Sequence, residues 1–319
     1  MLHGAYAAGT KLQFSGHETF PLRYGWLKKV YDAVRACELK GIDTKIVFNA
    51  DDAIARFGVG KNMVVSMRYW ALAAGMLEEV RAHLGPYATT PIGQSLLDDN
   101  GWDPWLEDPN SLWLLHWNFV STPDRTSTWH WVFNHCPQSS FDRELIVDHL
   151  TRLCADRQMK KIAPATLKRD VECFIRTYVE KAGAGSKEDT LECPLTELSL
   201  LRSVGRREGY QLGRRPKSTL SAALFAFATT QFWQRAYSNV RTLSLDALFH
   251  ESGSPGRVFL LDEESVVGLA IELESVTDGA IAWSETAGLR QLISRAKPME
   301  IDPMPFLSQA FTRANRRAA

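Results

Sequence analysis

The chain has 319 residues, enough for two or three modules that each bury a core. Lys plus Arg total 37 and Asp plus Glu total 37, so the composition excludes a globally basic nucleic-acid binder and leaves room only for a local patch. No apolar run reaches the length of a membrane span, the first residues lack a signal pattern, and five cysteines without a CxxC pair fit a reducing cytoplasm rather than a disulfide framework or a Cys-only zinc site.

Residues 1–13 read as a loose end. From there the chain reads as a first module over 14–100. Pro21 suits the first turn of a helix whose buried face is Leu22, Trp26, Leu27, Val30 and Val34, with Arg23, Lys28, Lys29 and Arg35 outward. Asn49 suits the N-cap of a helix from Ala50 to Phe57, with Asp52 near its positive end. Gly58 and Gly60 then break the chain before a second helical run. Met63, Met67, Trp70 and Ala74 form its apolar stripe, and Lys61, Asn62, Ser66, Arg68 and Tyr69 fall on the other side. That polar set can bond phosphates and base edges and carries no negative charge, so it reads as a recognition helix of a helix-turn-helix, against the alternative of a core helix whose polar face meets water. A strand, a turn at Gly85–Pro86, a second strand and a short return at Ile92–Leu97 complete the order expected of a winged helix. Winged helices also serve as protein-interaction modules, so this expectation concerns fold before function.

Residues 101–140 hold Trp102, Trp105, Trp113, Trp117, Trp129 and Trp131 among His116, His130 and His135. Stacking on unpaired bases beside Arg125 is one reading; a packed junction between modules is the favoured one. His130, His135 and Cys136 do not have a recognised metal-ligand spacing. Residues 141–217 repeat the earlier order: a helix burying Leu145, Ile146, His149, Leu150 and Leu153, then one burying Leu167, Val171, Phe174, Ile175 and Tyr178 with Lys168, Arg169, Glu172 and Arg176 outward. A flexible loop at 182–189 precedes a hairpin with Arg202, Arg206, Arg207, Arg214, Arg215 and Lys217 against the single acid Glu208. Such residues blunt an exposed strand edge or grip a phosphate backbone; the phosphate reading is preferred. Residues 218–310 read as an apolar spine helix and a third, acidic module. A helix there buries Val266, Leu269, Ile271 and Leu273, and Asp262, Glu263, Glu264, Glu272 and Glu274 turn it toward protein or solvent. Residues 311–319 read as a disordered tail. The fold expected is mainly α with short β-hairpins: tandem winged-helix or helix-turn-helix-like modules joined by a Trp-rich junction.

Chemistry is sparse. Glu38-Leu39-Lys40 matches a nuclease fragment without its strand, and Gly58-Val59-Gly60-Lys61 fails the phosphate-loop pattern because Asn62 follows the lysine. In Ser15-Gly16-His17-Glu18-Thr19, His17 and Glu18 are placed to act as acid and metal ligand, while Ser15 and Glu18 equally fit a capping box, the preferred use. These residues alone do not define an enzyme.

FSGHETFPLRYGWLKK (14–29) and FGVGKNMVVSMRYWALAAGML (57–77) together resemble the signature segments of the SspB family, first catalogued as a domain of unknown function. The resemblance implies a DNA-nicking endonuclease of bacterial phosphorothioation defence, which opens one strand so that sulfur replaces a non-bridging phosphate oxygen. It implies a cysteine desulfurase, a PAPS-reductase-like enzyme and an ATPase as partners, and His17, Glu18, Arg23, Lys61, Asn62 and Arg68 occupy the signature positions. The expectation is therefore a cytoplasmic protein on double-stranded DNA. His17 and Glu18 would be catalytic with Mg²⁺ or Mn²⁺ and no nucleotide or organic cofactor. Arg23, Lys61, Asn62, Ser66, Arg68, Tyr69, Lys168, Arg169 and the Arg202–Lys217 hairpin would face DNA, and a homodimer would suit paired half-sites. The alternatives are a non-catalytic recognition adaptor that recruits the sulfur-transfer enzymes and a transcriptional regulator.

Overall fold

A computed structural model describes residues 10–82, 85–159, 162–179, 193–205 and 209–312. Helix α1 (Trp26–Lys40) runs between Gly25 (φ 74°) and Gly41 (φ 65°), two left-handed positions that glycine adopts without steric cost. It buries Trp26, Leu27, Val30 and Val34, as the spacing predicts, and Tyr31 and Cys37 besides. The helix starts five residues after Pro21 because Gly25 turns the chain, and Pro21 and Leu22 lie buried in the segment before it. Lys28, expected outward, is 5% exposed and its ammonium reaches Asp32 (2.6 Å) and Asp99 (2.7 Å). A 3-10 turn (Thr44–Phe48) leads to α2 (Ala50–Phe57), then Gly58 at φ 67° and α3 (Lys61–Ala73). Strands β1 (Leu77–Ala82) and β2 (Gly85–Thr89) pair antiparallel, and α4 (Pro91–Leu97) follows with Thr90 accepting from the Gly93 amide as its cap.

Helices α5 (Pro109–Val120) and α6 (Ser127–His135) form the Trp-rich stretch, buried almost throughout. Trp113, Trp117 and Trp129 are at most 1% exposed, and the indole N–H groups of Trp113 and Trp117 donate to Thr219 Oγ1 and Gln231 Oε1. Next come β3 (Ser140–Asp142), α7 (Arg143–Asp156), α8 (Pro164–Tyr178), β4 (Leu201–Val204) and β5 (Gly209–Leu212), in a sheet ordered β3-β5-β4. The last part holds α9 (Ala222–Ala236), β6 (Thr242–Ser244), α10 (Leu245–His250), α11 (Pro255–Val258), α12 (Glu263–Val276), β7 (Ile281–Thr286), β8 (Leu289–Ser294) and α13 (Met304–Thr312), with a sheet ordered β6-β8-β7.

The two three-stranded sheets share one plan: a short strand, helices, and a returning hairpin whose second strand pairs back on the first. The first part approximates it without a full strand, since Thr44 Oγ1 donates to the Tyr87 carbonyl (2.9 Å) and accepts from the Tyr87 amide (3.2 Å). The chain is thus mainly helical with small antiparallel sheets, and one apolar core runs from Leu12 to Phe311. Among the described residues no helix is long and apolar enough to cross a membrane.

Several boundaries move. Leu12 is buried and the Gln13 amide donates to Ser127 Oγ (2.8 Å), so residues 10–13 are docked rather than loose. Phe311 is 3% exposed and stacks on Trp102 at 5.1 Å, so the chain stays packed past the expected start of the tail. Helix α12 buries Val266 and Leu273 as expected, with Ala270 and Val276 beside them and Leu269 half-buried, whereas Ile271, expected inside, is 55% exposed. The loop at 182–189 and the RANRRAA tail lie outside the described residues.

Buried histidines give the fold an acid limit. His116 sits between Tyr178 Oη (2.8 Å) and the Val258 carbonyl (2.7 Å), and burial lowers both His116 and His130 to about 3. Above the unfolded-state value near 6.5 both states are neutral and nothing is lost; below it only the unfolded chain takes up the proton. Each of these two histidines therefore costs roughly 2 kcal/mol of stability by pH 5. Urea midpoints measured from pH 7.5 to 5 should fall steadily below pH 6.5; a flat profile would mean that the folded chain accepts those protons.

Candidate nucleic-acid interface

The first signature segment folds as a tight turn over residues 15–20. Gly16 has φ 120°, and a Cβ there would lie 2.7 Å from Tyr69 Cδ2, so the turn approaches α3 at a distance only glycine allows. Glu18 (φ 48°) and the β-branched Thr19 (φ 68°) are also left-handed, a conformation held by its surroundings. The Phe20 amide donates to the His17 carbonyl (2.9 Å), and the Phe20 carbonyl accepts from Trp70 Nε1 (2.9 Å) and Ser66 Oγ (3.3 Å).

His17 is 2% exposed. Its Nδ1 accepts from the Thr19 amide (3.0 Å), which leaves the Nε2–H to donate to Asp170 Oδ1 (2.7 Å). The Thr128 hydroxyl donates to the other Asp170 oxygen. Tyr69 and Trp129 meet the imidazole edge-on at 5.6 and 6.0 Å, and Trp70 stacks at 6.4 Å. His17 therefore ties the turn to α8 and α6. With both ring nitrogens engaged it offers no lone pair to a metal, and Glu18 stands alone and exposed, so this pair does not form a metal site. Among the described residues no group of three or more His, Cys, Asp or Glu could hold a metal ion. The Ser15–Glu18 capping box is absent as well, because the helix begins only at Trp26.

The second signature segment contains one correction. Ser66 (0% exposed) and Tyr69 (5%) are core residues, not groove contacts. Helix α3 is covered on its supposed free side by the 15–20 turn and the junction, and its polar side chains find internal partners: Ser66 the Phe20 carbonyl, Tyr69 the Arg125 carbonyl at 2.7 Å. Burial pushes the Tyr69 phenol well above its usual range. Lys61 and Asn62, on the first turn of α3, remain exposed. Arg68 is half-buried; it donates to Tyr87 Oη (3.2 Å) and lies 5.9 Å from the Phe48 ring centre. Arg23 is half-buried over the rings of Phe20 (5.9 Å) and Trp26 (5.7 Å).

In the second part, Lys168 and Arg169 are exposed near the start of α8, and Arg202 is exposed on β4. Arg206 and Arg207 lie outside the described residues. Two hairpin arginines bond the protein's own carbonyls, although Arg214 stays exposed and Arg215 half-buried. Arg214 donates to the carbonyls of Gly256 (3.1 Å) and Leu261 (3.0 Å) and packs 4.7 Å over Phe249; Arg215 donates to the Ser199 carbonyl (2.6 Å) and, through its amide, to that of Leu260 (3.1 Å). A row of basic residues reads as one charged edge in sequence, but these side chains bond carbonyls of the protein itself, Gly256 and Leu261 in the third part and Ser199 in the second. Burial lowers Lys217 to about 8. Asp170 and Thr128 were not among the expected site residues. Asp170 carries a legible signal: with Leu167, Val171 and Phe174 it falls on the apolar stripe of α8, where a lone carboxylate needs a partner.

A family model described as a protein of unknown function, DUF4007, matches residues 14–311. Among solved structures, the chain is similar to a magnesium ion-bound SspB crystal structure, with 27% identity and a TM-score of 0.81, covering 98% of this chain and 99% of that one. It is similar also to a second SspB crystal structure, with 28% identity and a TM-score of 0.81, covering 98% of this chain and 100% of that one. No curated relative matches.

The His17 network predicts a stability effect with a clear contrast. Asp170→Ala leaves two buried donors unpaired and should lower unfolding stability by about 3 kcal/mol in urea, whereas Glu18→Ala, on the same turn, should change it by about 0.5 kcal/mol at most. Equal effects would show that the turn is not anchored through Asp170.

Proposed function

The chain belongs to the DUF4007 family and is SspB-like over nearly its full length, and on that footing we propose that it binds and nicks duplex DNA within a bacterial phosphorothioation defence system. The observation that carries the reading is the likeness to SspB over 98% of the chain, at 27–28% identity and a TM-score of 0.81. The three parts are read as winged-helix-like units, supported by the shared plan in which the returning hairpin pairs back on the first strand. In that reading α3, α8 and α12 hold the groove-facing position. Lys61 and Asn62 on α3 and Lys168 and Arg169 on α8 offer exposed donors for phosphates and base edges, and Arg202 and Lys217 extend the surface toward the backbone. Helix α12, with Glu263, Glu264, Glu272 and Glu274, is unsuited to DNA.

Nicking, the partnership with a cysteine desulfurase, a PAPS-reductase-like enzyme and an ATPase, and action in the cytoplasm follow from the SspB likeness. Dependence on Mg²⁺ or Mn²⁺ belongs to the same proposal, since one solved relative is described as magnesium ion-bound. No chemical step is placed on His17, whose nitrogens are both used; of the signature pair only Glu18 is exposed to meet DNA. That internal use of His17 favours a second reading, a recognition adaptor that binds DNA without cutting it.

Two measurements test these readings. In duplex binding, Lys61→Ala/Asn62→Ala and Lys168→Ala/Arg169→Ala should each weaken affinity several-fold and reduce the salt slope by about 1 per phosphate-bound cation lost; unchanged slopes would remove α3 and α8 from the interface. Supercoiled plasmid with the purified chain and Mg²⁺ should give open circles, and EDTA should abolish them. A folded preparation that binds DNA and never opens the plasmid would establish the adaptor.

A further inference from the structure

A cavity of about 640 Å³ opens where the link between α5 and α6 meets the end of α9 and the loop after α10. Its size is that of a small-molecule site. Arg235, Asp124 and Glu251 line it, together with Pro123, Phe232 and Ser252. None of them belongs to the surface proposed to meet DNA.

The walls are fixed in advance of any ligand. Ser252 Oγ lies 2.9 Å from His135 Nε2 and 3.3 Å from His130 Nε2, and the Nδ1–H of His130 donates to the Val120 carbonyl (2.7 Å). The Gly253 amide donates to Asn134 Oδ1 (2.8 Å). A Cβ at Gly253 would lie 2.8 Å from the Ser121 carbonyl oxygen, so the two loops close on each other at a distance glycine permits. Beneath Arg235, the Trp117 indole donates to Gln231 Oε1 (2.7 Å), and the guanidinium lies 5.3 Å from the ring centre. Burial lowers His130 to about 3 and His135 to about 4, so both stay neutral and bring no charge to the cavity.

The charges that remain select the ligand. Among the described residues Arg235 makes no hydrogen bond and no ion pair, although its guanidinium has five donors. The surrounding protein lowers that group to about 10; Asp124 is near enough to oppose the shift, yet the two do not touch. Asp124 is equally without a hydrogen bond or ion pair among the described residues, and Glu251 accepts from the Tyr237 hydroxyl through one oxygen and keeps the other. A guanidinium and carboxylates that face one space without pairing leave room for a ligand charged at both ends. A phosphate would meet the guanidinium but also two carboxylates, and a lone cation would meet the carboxylates but also the guanidinium. An α-amino acid matches both. Its carboxylate fits the planar fork of Arg235, its ammonium falls to Asp124, Glu251 and the Ser252 oxygen, and its side chain lies against Pro123 and Phe232.

We propose that this cavity binds a free α-amino acid, with Arg235 holding the carboxylate and Asp124 and Glu251 the ammonium. The site is independent of the DNA-binding reading. The test titrates the purified full-length chain calorimetrically with the common L-amino acids, one at a time. At least one should bind, and its deaminated acid and its decarboxylated amine should each bind about tenfold more weakly or not at all. Arg235→Gln and Asp124→Asn should each weaken that amino acid by about tenfold or more, with thermal midpoints and duplex affinity as in the wild type. Wild-type affinity in Arg235→Gln would overturn the assignment; if that variant does not fold, wild-type affinity in Asp124→Asn, at an exposed position, does the same. The proposal also fails if no amino acid binds, or if the deaminated acid or inorganic phosphate binds equally well.

Discussion

The hydrogen bond from His17 to Asp170 joins chain segments 153 residues apart, and much of the molecule's arrangement depends on it. Asp170 is the one charged side chain among those α8 buries, so its carboxylate must be satisfied inside the core; His17 and Thr128 supply the donors. In meeting that requirement the imidazole carries the 15–20 turn into the space between α3 and α8. The turn in turn covers α3, accepts from Ser66 and Trp70, and fixes how the first part meets the second. A residue type associated with catalysis is thus used as a latch, and the strain at Glu18 and Thr19 is the cost of delivering it there.

A second principle is the reuse of one topology with different surfaces. The two three-stranded sheets follow the same strand order, and the first part reaches it with a threonine in place of a strand. Since the topology is common, the differences lie in what the helices expose. The start of α3 presents Lys61 and Asn62, the start of α8 presents Lys168 and Arg169, and α12 presents glutamates and Ile271. The zero net charge of the chain is therefore a sum of local opposites, with cations on two helix starts and carboxylates on α12.

The parts are bound together by side chains that sequence alone would assign to ligands. Arg214 and Arg215 reach carbonyls of neighbouring segments, Trp113 and Trp117 donate across from α5 to residues around α9, and Asn134 accepts from the Gly253 amide at 2.8 Å. Each is a polar group directed at an otherwise open backbone or side-chain partner, which is how a continuous core tolerates so many buried polar atoms.

By itself the sequence determined the helices, the hairpins and their order, because apolar spacing and glycine breaks are local properties that survive in any context. The periodicity of α3, the Gly58–Gly60 break and the two SspB-like segments were all legible in this way. Only the tertiary structure decided which polar side chains face water. Ser66 and Tyr69 lie opposite the apolar stripe of α3 and would be exposed on an isolated unit; they are buried because a distant turn covers that side. His17 and Asp170, and Arg214 and Leu261, depend likewise on partners far away in the chain. Local pattern specifies that a polar group needs a partner, and only the packed chain specifies whether that partner is solvent, a ligand or its own backbone.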